Sequence, residues 1–111
     1  MEVRFADAKL QKIVSVEKTL NKNFGQRMAK RIQTGLAVLQ AADDLARVPT
    51  SGSLRCHQLF NDRDEQFAID LVHPQRLVFV ADHDPIPRLE DGGIDKQKIT
   101  RIVIVEIVDY H

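Results

Sequence analysis

The chain has little that would staple or anchor it. One cysteine in 111 residues, Cys56, excludes an intramolecular disulfide framework and any cysteine-rich zinc site. The longest apolar runs, Leu77 to Ala81 and Ile102 to Val105, are far too short to span a bilayer. Met1-Glu2-Val3-Arg4 lacks the basic-then-apolar order of a secretory signal. There is no phosphate loop, dinucleotide fingerprint, helical pair of zinc histidines or calcium loop. Internal repeats and low-complexity tails are missing too. What is left is a length suited to one domain, 1–111, with a single core. The expectation is a cytoplasmic protein without membrane contact, metal or cofactor.

Net charge is also lacking, yet its distribution is uneven. Residues 1–55 carry 10 basic and 5 acidic side chains, whereas residues 56–111 carry 6 and 11. Much of the acid sits between Ala81 and Asp95, with 5 acidic residues against 1 basic. Such asymmetry fits a nucleic-acid face on a neutral protein. It equally fits two solvated surfaces with no partner, and from charge alone that is the simpler reading.

Periodicity divides the chain into a helical half and a strand half. Val3-Arg4-Phe5 reads as a first strand, and Asp7 as the N-cap of a helix. Leu10, Ile13, Val14 and Leu20 recur at helical spacing, with Lys9, Lys12, Lys18 and Lys22 on the other face. Asn21-Lys22-Asn23 is the expected break. A second helix is expected from Phe24 to about Leu39 or Ala46, with Met28, Ile32, Leu36 and Leu39 on its apolar face. Gly35 inside it lowers helix propensity and points to close packing. From Leu54 onward the period becomes two. Arg55 to Leu59, Gln66 to Leu71, Leu77 to Val80 and Thr100 to Val108 read as strands. In the last, alternation sets Val103, Val105 and Ile107 against Ile102, Ile104, Glu106 and Val108. The order β-α-α-β-β-β-β predicts an α+β fold, with two N-terminal helices packed on one face of a mostly antiparallel sheet.

Candidate chemistry is sparse. Histidines at 57, 73, 83 and 111 have no ligand-like spacing. Cys56 and His57 are neighbours on a strand and point to opposite faces, so Cys56 is read as a small core residue. Asp109-Tyr110-His111 groups three side chains able to accept, donate or orient a proton. A frayed polar terminus is the plain alternative. His57 and Arg76 add an imidazole and a guanidinium on other strands, although Arg76 has a simpler role pairing with Asp70 or Asp82. Gathered on one sheet, such groups suffice to cleave RNA. One removes the 2′-hydroxyl proton, one protonates the departing 5′-oxygen, and Arg steadies the phosphate charge.

In this order and spacing, these residues resemble the HigB branch of the RelE-like toxins, the killer proteins of plasmid-maintenance toxin–antitoxin pairs. The resemblance runs through Glu2-Val3-Arg4-Phe5, Arg55-Cys56-His57-Gln58-Leu59 and Asp62-Arg63. It continues in Gln66 to Asp70, Arg76-Leu77-Val78-Phe79 and the closing Glu106 to His111. It implies a RelE-like fold and a metal-independent endoribonuclease that enters the ribosomal A site and cuts messenger RNA. His57, Arg76, Asp109, Tyr110 and His111 would form the catalytic set, with Arg76 on the scissile phosphate. Lys9, Lys12, Lys22, Arg27, Lys30, Arg31 and Arg63 would contact RNA, chiefly by phosphate neutralisation. The implied partners are the ribosome, messenger RNA and a HigA-like helix-turn-helix antitoxin, with operator DNA bound only through the antitoxin complex. One stretch departs from the family. Phe60 and Asp64 stand where lysines are common, and Glu65 adds further negative charge. That departure motivates the alternative of a noncatalytic member that binds the antitoxin without cutting RNA.

Overall fold

The computed structural model describes residues 1–109. Its elements run β1 (Glu2–Phe5), α1 (Ala8–Ser15), α2 (Glu17–Phe24), α3 (Gln26–Ala41), β2 (His57–Gln58), β3 (Gln66–Asp70), β4 (Gln75–Ala81) and β5 (Arg101–Asp109). Short 3-10 turns lie at Leu45–Arg47, Asn61–Arg63 and Lys96–Lys98. The sheet order is β1-β5-β4-β3-β2, with β1 parallel to β5 and every other pair antiparallel. The fold is therefore α+β with a mostly antiparallel sheet, as periodicity implied.

The helical half corrects the sequence reading, because it holds three helices rather than two. Asp7 caps α1 as expected, its Oδ1 accepting from the Lys9 amide at 2.8 Å. The chain then breaks at Val16, whose φ of −123° and ψ of 123° are extended. Thr19 fastens this corner, its hydroxyl donating to the Ile13 and Val16 carbonyls. Asn21-Lys22-Asn23 does not interrupt anything: all three lie inside α2, where Asn23 Nδ2 bonds back to the Thr19 carbonyl. The second break is Gly25, whose φ of 80° a side chain would strain. α3 ends at Ala41, short of Ala46, because Ala42 turns extended.

One core joins these helices to the sheet. Leu20, Met28, Ala29, Ile32 and Leu39 pack with Phe67, Ile69, Leu77, Phe79, Ile102 and Ile104. Gly35 is buried where α3 crosses β3, and a Cβ there would sit 2.6 Å from Ile69 Cδ1. Cys56 belongs to the same core, and burial pushes its thiol up to about 11.

A bulge changes which side chains β5 sends to this core. Val78 pairs with Glu106 and Phe79 with Ile104, leaving Val105 as the extra residue. Uninterrupted alternation would group Ile102 and Ile104 with Glu106 and Val108. Instead Ile107 packs with Ile102 and Ile104, and Val108 joins Leu59, Ala68 and Val78 on the opposite face. No helix of the described residues is long and apolar enough to cross a membrane.

Candidate functional site

The face turned away from the helices brings together part of the expected catalytic set. His57 pairs with Ala68, and Ala68 with Val78. Arg76 lies two residues before Val78 on β4 and therefore shares that face. Two strand spacings and two residues of rise separate the His57 and Arg76 backbones by about 12 Å, within reach of converging side chains. His57 is half-buried, and its Nδ1 lies 2.7 Å from the Arg55 carbonyl. A carbonyl can only accept, so Nδ1 carries a proton, and in that tautomer of the neutral ring Nε2 holds the lone pair. Arg55 brings its carbonyl there from a left-handed conformation, with φ 43°.

Arg76 is held by a carboxylate. Its Nε is 3.3 Å from Asp70 Oδ1, while Arg55 reaches Asp70 through Nε at 2.8 Å and Nη2 at 3.3 Å. Asp70 thus bridges two guanidinium groups, and the trio keeps one net positive charge. The alternative partner Asp82 is engaged elsewhere, with Arg4 at 3.0 Å.

The loop from Phe60 to Glu65, which follows His57 in the chain, is fastened by ion pairs. Arg63 lies 2.6 Å from Glu106 and donates to Gln66 Oε1 at 3.1 Å. Glu65 is gripped by both terminal nitrogens of Arg88, at 2.6 and 2.9 Å. That hydrogen bonding holds the Glu65 carboxyl below its ordinary range and raises Arg88. The negative charge of Glu65 is therefore compensated locally by a residue 23 positions away. Phe60 stands 67% exposed, an apolar surface where the resemblance places a cation.

Asp109 lies elsewhere. Arg76 pairs with Val108 on the helix-free face, so the next pair, Gln75 with Asp109, points to the other side, where Asp109 is exposed. The structure does not bring Asp109 to His57 and Arg76. Tyr110 and His111 lie outside the described residues.

The expected RNA-contacting cations split into groups. Arg27, Lys30 and Arg31, spaced i, i+3, i+4 on α3, line a groove against the β3–β4 turn at Leu71 to His73. A second groove, with Arg55, Asp70 and Arg76, shares Leu71 and His73 with the first. Lys9 instead borders a groove with Phe24, Glu106 and Ile107. Lys12 and Lys22 are exposed on α1 and α2. Arg55, His73 and Arg88 were given no site role by the sequence. Only Arg55 carried a signal, its place two residues before His57. Among the described residues, no group of three or more His, Cys, Asp or Glu is placed to hold a metal ion.

Comparison with known proteins locates the fold. No protein-family model and no curated protein matches the sequence. Among solved structures, the chain is similar to a YoeB/ParE toxin from Agrobacterium tumefaciens. The TM-score is 0.57 and the identity 11%, with 100% of each chain covered. The two share a RelE/ParE-like toxin fold.

Proposed function

We propose that the protein is the toxin of a bacterial type II toxin–antitoxin pair, an endoribonuclease of the HigB type that cuts ribosome-bound messenger RNA. The observation carrying this reading is that His57, its Nδ1 on the Arg55 carbonyl, shares one helix-free face with Arg76. The RelE/ParE-like toxin fold supports it. In the proposed reaction His57 Nε2 takes the 2′-hydroxyl proton. The 2′-oxygen bonds to phosphorus as the bond to the 5′-oxygen breaks, leaving a 2′,3′-cyclic phosphate and a 5′-hydroxyl. Arg76 stabilises the charge growing on the non-bridging oxygens. The acid that protonates the 5′-oxygen is assigned to Tyr110 or His111, since Asp109 faces away from His57 and Arg76. No step needs a metal or cofactor. The cations Lys9, Lys12, Lys22, Arg27, Lys30, Arg31 and Arg63 would supply sequence-independent attraction to RNA. A HigA-like helix-turn-helix antitoxin would be the inhibitor, with operator DNA bound through the complex in the cytoplasm.

A second reading is favoured by two observations. Asp70 already occupies Arg76, and Phe60 presents apolar surface beside the site. A noncatalytic member that binds the antitoxin without cutting RNA would have these features. Primer extension on messenger RNA, free and ribosome-loaded, separates the readings. Ribosome-dependent cuts within the A-site codon support the nuclease. Antitoxin capture by folded protein that cuts neither template supports the noncatalytic member.

A further inference from the structure

The groove between α3 and the β3–β4 turn combines unusual charge with a suitable shape. Arg27, Lys30 and Arg31 line it from the helix, with Thr34 beside them and His73 opposite. Among the described residues no carboxylate lines it. The three cations sit in the first turns of α3, at the positive end of its dipole, and the first turn holds no acidic residue. Like charges and an unfavourable dipole are thus concentrated in one concavity, an arrangement that a bound anion relieves. Arg31 Nη2 is anchored on the Ser53 carbonyl at 2.7 Å, while its buried Nε has no partner among the described residues. The cleft holds about 390 Å³, room for nucleotide-sized groups and far too little for a duplex. Through Leu71 and His73 it continues into the groove that contains Arg55 and Arg76.

We propose that this groove binds successive phosphodiesters of single-stranded RNA, carrying the strand away from Arg76, past His73, to Arg31, Lys30 and Arg27. The inference rests on RNA as the substrate and adds where the strand lies outside the reacting bond. Thr34 and His73 contribute a hydroxyl and an imidazole to phosphate oxygens along the track. Exposed Arg27 and Lys30 supply charge without being needed for the fold.

Binding of a short fluorescent single-stranded RNA, followed by anisotropy across a salt series, tests it. Arg27→Gln with Lys30→Gln removes two phosphate contacts. The double variant should bind about 10-fold more weakly at low salt, with the slope of log affinity against log salt reduced by about 1.4. The control pair Lys18→Gln with Lys98→Gln makes the same charge change outside the groove and should leave that slope unchanged. Equal losses in both pairs would mean attraction by net charge alone and would overturn the site. So would a duplex DNA of the same length that competes as well as the RNA. Photo-crosslinking of thiouridine-labelled RNA to wild-type protein gives a second measure that needs no variant. Adducts on α3 and the β3–β4 turn are expected, and adducts confined to other surfaces would overturn the assignment. Neither assay contains ribosomes or scores cleavage. A protein that binds RNA in the groove yet never cuts would refute the nuclease and leave the groove standing.

Discussion

Substituting Gly35 probes how closely α3 is set against β3, and hence the width of the cationic groove that α3 carries. Gly35→Ala on an exposed helix would stabilise by about 0.8–1.0 kcal/mol through propensity. Here the new Cβ would lie 2.6 Å from Ile69 Cδ1, and Ile69 is fully buried, so its end has little room to retreat. Overpacking of this kind costs about 1–3 kcal/mol, for a net loss of about 0–2 kcal/mol. The other neighbours, Ile69 Cγ1 at 3.9 Å and Leu54 Cδ2 at 4.0 Å, are in ordinary contact. The clash therefore lies with a single methyl group. Ile69→Val removes that methyl at a cost of about 0.5–1.5 kcal/mol by itself. Combined, the added Cβ fills the vacated space and the helix gains its propensity, so the double variant should return to near wild-type stability. Urea denaturation of the four proteins, compared at constant m value, gives the coupling energy. A coupling of roughly 1–3 kcal/mol is expected. If Gly35→Ala alone stabilises the protein, or if the two changes add within about 0.5 kcal/mol, the close approach of α3 to β3 is refuted.

Further predictions concern single groups. Cys56, with its thiol pushed up to about 11, should alkylate with iodoacetamide far more slowly than a free cysteine at neutral pH; labelling at the free rate would contradict its burial. The Glu65 carboxyl is depressed in the folded state by Arg88. Its stabilisation is therefore present above the unfolded carboxylate range and is lost as pH falls through the folded value. Melting points of wild type and Glu65→Gln should accordingly differ at neutral pH and converge in acid; a gap that widens in acid would reverse the sign of the argument. Asp70→Asn removes the carboxylate between Arg55 and Arg76, and it should weaken the fold by no more than about 1 kcal/mol because the groups are partly exposed. The same change should tighten RNA binding and steepen its salt dependence; weaker binding would mean that Asp70 positions Arg76 productively. Chelation by EDTA should leave cleavage on magnesium-replenished ribosomes unaltered, and loss of cutting by toxin stripped beforehand would show a metal requirement.

The sequence disclosed those parts of the fold that follow from local pattern. β5 is legible because β-branched residues dominate Ile102 to Val108. The Asp7 cap and the burial of Met28, Ile32 and Leu39 follow from side-chain chemistry and spacing. Val16 gave no warning, since valine is tolerated in helices and only its contact with Thr19 marks the corner. The bulge at Val105 was equally silent, because the β-branched run from Ile102 leads into it without a glycine, and Glu106 fits simple alternation as well as it fits a bulge. Register against β4 decides it, and that register re-aims Glu106 and Ile107. At the candidate site, His57 and Arg76 stood out by residue type, but their shared face depended on strand pairing. The ion pair of Glu65 with Arg88 spans 23 positions, so a loop that reads as acidic in sequence is compensated in the structure. Charge counts along a chain do not see partners that the fold supplies.

The central claim is that His57 and Arg76 act together on a phosphodiester. Single-turnover cutting of ribosome-bound messenger RNA by wild type, His57→Ala and Arg76→Ala tests it most directly, with circular dichroism confirming that each variant folds. Each variant should cut about 100- to 10,000-fold more slowly, with a 2′,3′-cyclic phosphate at the wild-type cut end. Cutting at the wild-type rate by either variant, or no cutting by folded wild type, would contradict it.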